Sequence, residues 1–133
     1  MRDIKFRCWD TENKEMLEVQ ELDYEDSYNG QPMIRTTMYS DYFDTEDMIL
    51  MQYVGLKDKN GKEIYEGDIV KFRFKDDREE FPDLIGYIEY QTTFTAFRIM
   101  SNQGSFKIDI TEIKFIEVIG NIYKNPELLE EGE

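Results

Sequence analysis

The sequence predicts a mainly β protein: a small, strongly curled sheet or SH3-like barrel with an N-terminal hairpin and little helix. Three observations carry this. Alanine occurs once in 133 residues, at Ala96, beside nine Phe, nine Tyr and one Trp; helices favour alanine, whereas strands favour aromatic and β-branched residues. Apolar and charged residues alternate, most strictly where Val70, Phe72 and Phe74 interleave with Lys71, Arg73 and Lys75. That is the two-residue period of a half-buried strand. Turn residues punctuate the apolar runs at the short spacing of hairpins and small barrels.

The elements follow in order. From Ile4 to Trp9 the chain alternates, with Ile4, Phe6 and Cys8 inward and Lys5 and Arg7 outward. A turn over 10–14 leads back along Glu15 to Leu22, giving the hairpin, and Trp9 beside the turn closes one end of the core or stands at an interface, the core being favoured. Asp23 to Asp47 reads as an insertion or arm. Its first part, Asp23 to Gly30, is polar and turn-rich; Met33 to Tyr39 is a candidate strand; Ser40 to Asp47 is a loop or one helical turn. Met48 to Val54 is an apolar run bounded by acidic residues and Gly55, short enough to be a buried strand. Asn60-Gly61 predicts a type I′ turn, which needs positive φ at both central residues. Glu63 to Tyr65 is a short extended piece, Gly67-Asp68 a corner that exploits glycine's backbone freedom, and Ile69 to Lys75 the alternating strand.

Beyond the charged loop at 76–80, residues 84–110 read as a three-stranded meander: Leu84 to Gln91 with a bend or bulge at Gly86, Phe94 to Met100, and Ser105 to Ile110. Thr111 to Lys114 is a helical turn or strand extension, and Phe115 to Tyr123 a last strand kinked at Gly120. Asn125-Pro126-Glu127 opens a short helix, with Asn as cap, Pro in the first position and Glu at the positive end of the dipole.

Three blocks of this chain resemble one family. They are MRDIKFRCWD at the start, LMQYVGLKDKNGKEIYEGDIVK in the middle and IEVIGNIYKNPELL at the end. In that order they are similar to the YopX-like family of phage and prophage proteins. Cys8 stands where the family pattern often has Ala, and Val54 where it often has Thr. The resemblance implies a mainly β fold and an origin in a phage or integrated element. It brings no catalytic residues with it.

Length bounds the organisation: 133 residues make one domain, 1–133, with subdomains 1–50 and 51–125 as the alternative. The net charge of −14 divides as −8 over 1–50, +2 over 51–75 and −8 over 76–133. A surface so acidic repels phosphate backbones, so general nucleic-acid binding is disfavoured, while mimicry of DNA is open to it. The single cysteine excludes an intramolecular disulfide and any cysteine metal cluster. No apolar run approaches the roughly 20 residues of a membrane-spanning helix. The chain opens directly into an alternating strand with no signal peptide. A cytoplasmic protein of a bacterial host, with no membrane association, is expected.

Histidine is absent, which removes the commonest general base, the Ser-His-Asp and Cys-His nucleophile systems and histidine metal ligands. No glycine-rich phosphate cradle occurs. Asp23, Glu25, Asp26 and Asn29 offer hard oxygen ligands, but their spacing does not meet the EF-hand pattern. No metal and no cofactor is expected, and Cys8 reads as a buried, inert thiol.

These readings converge on a non-enzymatic protein acting through protein–protein contact. The partner is an unidentified host or phage protein, and self-association into a homo-oligomer is expected from exposed strand edges and complementary segment charges. The candidate interaction residues are Tyr53, Lys57, Lys59, Tyr65, Lys71, Arg73 and Lys75, with the Asp23 to Asp47 arm. The alternative is a nucleic-acid-linked role, as an acidic DNA mimic or by weak direct binding through strand 71–75 with Tyr53 or Tyr65 stacking on bases. The bland account of that strand is a cationic stripe neutralising the acidic remainder. A carboxylate hydrolase, a third reading, requires two acids converging in a pocket.

Overall fold

A computed structural model describes residues 3–28, 30–75, 83–102, 104–109 and 112–131, without the side chains of 26–28 and 131. The chain divides into two compact units, Met1–Tyr53 and Val54–Glu133. The division falls inside one strand.

The N-terminal unit contains β1 (Phe6–Asp10), β2 (Glu15–Tyr28), β3 (Gln31–Thr36), β4 (Tyr42–Phe43) and the first part of β5 (Met48–Lys57). Their order is β4-β3-β2-β1-β5, antiparallel throughout. The expected hairpin is β1–β2, with Cys8 opposite Leu17 and Asp10 opposite Glu15. Cys8, Leu17, Ile34 and Met48 form its buried core, with Val19, Leu22 and Phe43 packed around them. Burial of a Leu, Ile or Met side chain of this kind stabilises by roughly 1.5–3 kcal/mol.

Two expectations for this unit are corrected. Ile4 lies before β1 and is 75% exposed, so the inward face begins later, with Cys8. The polar stretch from Asp23 is strand rather than turn: β2 continues to Tyr28, with Asp23 opposite Met33 and Tyr28 opposite Gln31. Pairing with β3 supplies the backbone partners that the local sequence does not favour. A register irregularity between Asp23 and Tyr28 absorbs the misfit. The arm is therefore part of the sheet.

The C-terminal unit continues β5 and adds β6 (Glu63–Tyr65), β7 (Asp68–Phe74), β8 (Leu84–Gln91), β9 (Ala96–Ser101), β10 (Gly104–Lys107), β11 (Ile113–Asn121) and α1 (Glu127–Glu131). A five-stranded antiparallel sheet runs β10-β9-β8-β7-β11. The mainly β fold with little helix is as the sequence predicts, and β8-β9-β10 is the expected meander. Of the two forms considered, the open sheet is realised; it does not close into a barrel. Val70, Phe72, Ile88, Ile99 and Ile116 are buried in the core. Phe72 is fully buried, with its ring 5.6 Å from Phe74 and 5.8 Å from Phe106, within the range of favourable aromatic pairs.

Gly86 makes no bulge in β8, whose register against β7 is unbroken. It is a close-approach position: a Cβ there would lie 2.5 Å from the Met100 carbonyl oxygen. Gly120 does sit at a register shift in β11. At the start of α1, the Asn125 carbonyl accepts the Leu128 N–H at 3.1 Å, while its side-chain oxygen turns back to the Asn121 N–H at 3.3 Å. Among the described residues no helix is long and apolar enough to cross a membrane.

Candidate functional site

The site grows out of the loop between β5 and β6. Asp58 is buried, and its Oδ1 accepts N–H bonds from Asn60 at 2.8 Å and Lys62 at 2.9 Å. Its Oδ2 accepts the Val118 N–H of β11, 2.9 Å away and 60 residues along the chain. The Lys59 N–H donates to the Ile116 carbonyl at 2.9 Å. One carboxylate thus folds the loop and ties it to the sheet margin. Burial pushes the Asp58 carboxyl up, but the N–H donors, with help from the Lys62 charge, outweigh it and hold the group below its ordinary 3.8.

This capture also changes the turn. Gly61 has a φ of 83°, while Asn60 is not in the left-handed region, and the Gly61 N–H donates to the Asp58 carbonyl at 3.0 Å. The type I′ expectation is replaced by a three-residue loop, a turn over Asp58–Gly61 ending on a left-handed glycine. Two side-chain bonds to the loop's N–H groups favour that geometry.

The Gly67-Asp68 corner is likewise structural. Gly67 has a φ of 84°; its N–H donates to the Ile88 carbonyl at 2.8 Å and its carbonyl accepts the Ile122 N–H at 2.9 Å. Buried Asp68 accepts the Tyr65 N–H at 2.7 Å. The most distinctive stretch of the sequence is therefore a frame.

Beside that frame lies a cleft of about 300 Å³, lined by Lys57, Lys59, Lys75 and Lys114 over apolar Leu56 and Phe115. The structure brings three of the seven candidate residues together here: Lys57, Lys59 and Lys75. All four lysines are exposed. Lys59 is shared with Glu117, 3.7 Å away, and lies 5.1 Å from the Phe115 ring centre. Among the described residues Lys57, Lys75 and Lys114 have no ion-pair partner. Lys114 is the member sequence reasoning missed. It lies far along the chain and enters only because β11 pairs with β7, placing Ile113 opposite Phe74.

The other four candidates lie apart from the cleft. Lys71 stands opposite Glu117 across the β7–β11 pair. Arg73 pairs with Asp83 at 2.7 Å, close in charge but not aligned as a hydrogen bond. Tyr65 is half-buried, its hydroxyl 3.4 Å from a Glu63 oxygen. Tyr53 is 7% exposed, so its ring offers no open face to a base. Lys71 and Arg73 thus face carboxylates of the same unit, as the neutralising account of that strand expects.

Cys8 is fully buried with Sγ 3.9 Å from the Met48 sulfur; burial, and then the Asp10 charge, push its thiol up to about 11. A thiol so raised is a poor nucleophile. Asp23 Oδ1 accepts the Glu25 N–H at 2.9 Å; Asp26 and Asn29, the other oxygen ligands considered, lie outside the described side chains. Among the described residues no three potential metal-ligating side chains converge.

A family model described as YopX protein matches residues 5–130. The chain belongs to the YopX family. Those matched residues span the Asp10 turn, the Asp58 loop, the Gly67-Asp68 corner and the start of α1. The YopX chain is also similar to the crystal structure of protein EF1440 from Enterococcus faecalis. That match has 31% identity and a TM-score of 0.62, over 97% of this chain and 99% of that one. No curated protein matches this YopX chain.

Proposed function

We propose that this YopX protein is a non-enzymatic protein of a phage or integrated element, and that it works by protein–protein contact in the bacterial cytoplasm. One observation carries the reading. Tyr24 and Met38 are each 61% exposed and Tyr42 is 41% exposed, and all three fall in the segment between Asp23 and Asp47. Ile4, Tyr90 and Phe94 are exposed as well, but Ile4 stands far along the chain from the other two, whereas Tyr24, Met38 and Tyr42 share one segment; exposed large apolar side chains gathered in one segment are a usual mark of a contact site.

The segment is also held in shape. Arg35 donates to Glu21 at 2.8 and 3.2 Å and to Gln20 at 3.0 Å, and its guanidinium lies 5.9 Å from the Tyr42 ring centre. The Arg35 bonds, and then the Tyr42 hydroxyl, hold the Glu21 carboxyl below its ordinary value. A surface ordered before binding loses less entropy on association. Self-association is proposed as well, because β4, only two residues long, leaves most of β3 without a strand partner on that side.

The test is a tagged pull-down from bacterial lysate with nuclease present, comparing the parent protein with the Tyr24→Ser, Met38→Ser, Tyr42→Ser variant. A protein retained by the parent and lost by the variant is the expected outcome. Equal capture by both, or material recovered only without nuclease, contradicts the reading.

A further inference from the structure

We infer that the lysine-lined cleft of the C-terminal unit is a binding site for a mononucleotide-sized organic phosphate. Four lysines line it in a chain of net charge −14. The chain carries thirty carboxylates, yet among the described residues only Lys59 of the four is paired, with Glu117. Gathering like charges on neighbouring strands is unfavourable unless an anion joins them.

The wall chemistry narrows the ligand. Every cation is a lysine. Lysine binds phosphate as a point charge, whereas planar carboxylate recognition favours the arginine fork. The acid in the wall, Asp58, is already engaged by three backbone N–H donors, and exposed Glu112 meets Lys75 through the backbone, its carbonyl accepting the Lys75 N–H at 2.7 Å. Leu56 and Phe115 give an apolar surface for the organic part. A volume of about 300 Å³ is at the small end of ligand pockets. An extended nucleic-acid strand would have to leave the cleft and run over acidic surface, which repels it. A compact anion stays among the four lysines that line the cleft.

The test is calorimetric titration with ADP, then AMP and adenosine, at about 50 mM salt and again at about 200 mM. Saturable ADP binding is expected, weaker for AMP, absent for adenosine and weakened by salt. Lys75→Glu with Lys114→Glu should weaken ADP binding by about tenfold or more, as two lost charge contacts imply, while Lys75→Arg with Lys114→Arg retains it. If the charge reversal fails to fold, Lys114→Gln alone reads a loss of about threefold. The Tyr24, Met38, Tyr42 variant should bind ADP as the parent does, which separates this site from the protein-contact reading. Absence of saturable ADP binding, or binding indifferent to the Glu substitutions, overturns the assignment. So does a single-stranded oligonucleotide held by the same lysines that ADP does not displace.

Discussion

Asp10 and Asp58 perform the same chemistry on two different scales. Each is a buried aspartate at a turn, and each accepts backbone N–H bonds. Asp10 works within its own hairpin: its donors are the Glu12 and Asn13 N–H groups and the Asn13 side-chain amide, all within three residues. Asp58 serves its loop and also holds Val118 on a strand 60 residues away. The Asp10 carboxylate thus acts within its own turn, whereas the Asp58 carboxylate also fixes a sheet margin. A single carboxylate shapes a loop cheaply, but it organises a fold when one of its oxygens reaches a distant strand.

Ordered by expected size, the sharpest way to break this contrast is Phe72→Ala. Loss of a fully buried ring from the C-terminal core should destabilise that unit by about 3–5 kcal/mol, read by chemical denaturation. A loss well under 1 kcal/mol would show that the core does not depend on it. Gly67→Val should cost about 1–3 kcal/mol, because a β-branched residue is strained at a φ of 84°.

Asp58→Asn comes next. An amide has one oxygen, so its NH2 group must face either the loop donors or the Val118 N–H. A buried donor left unsatisfied costs about 1–3 kcal/mol. Asp10→Asn should cost less, about 0.5–1.5 kcal/mol, because the Asn13 amide can rotate to present its oxygen. Equal costs for the two would erase the distinction between local and long-range stapling.

Acid sharpens the same comparison. For Asp10, burial pushes the carboxyl up, but bonds from Asn13 and Glu12 outweigh it; like Asp58 it lies below its ordinary 3.8 in the fold. A depressed folded value means that the contribution is fully present above 3.8 and is lost as pH falls through the folded values beneath it. Stability should therefore be flat in these two groups near neutrality and fall below that point. The Asp58→Asn variant should show a shallower acid loss than the parent, measured as unfolding free energy against pH.

The sequence made β5 to β9 legible because their signals are local: a bounded apolar run, turn residues, and strict alternation through Val70, Phe72 and Phe74. Where it misled, a distant partner decided. The Asp23 to Tyr28 stretch is strand because β3 pairs with it, and the Asn60-Gly61 turn takes its form from Asp58. Ile4 lost its expected inward place because β1 begins only at Phe6. Tyr53, an available aromatic by sequence, is buried, which one strand's alternation does not reveal. The cleft was half visible: Lys57, Lys59 and Lys75 are close in sequence, whereas Lys114 reaches them only through strand pairing.

The most direct measurement is one pull-down with three baits under nuclease: the parent, the Tyr24, Met38, Tyr42 variant, and the Lys75→Glu, Lys114→Glu variant. Protein capture by the parent and the lysine variant, with loss in the arm variant, is the predicted result and places partner recognition on the N-terminal unit. Capture that persists in the arm variant and disappears with the lysines would contradict it, moving protein recognition to the C-terminal cleft.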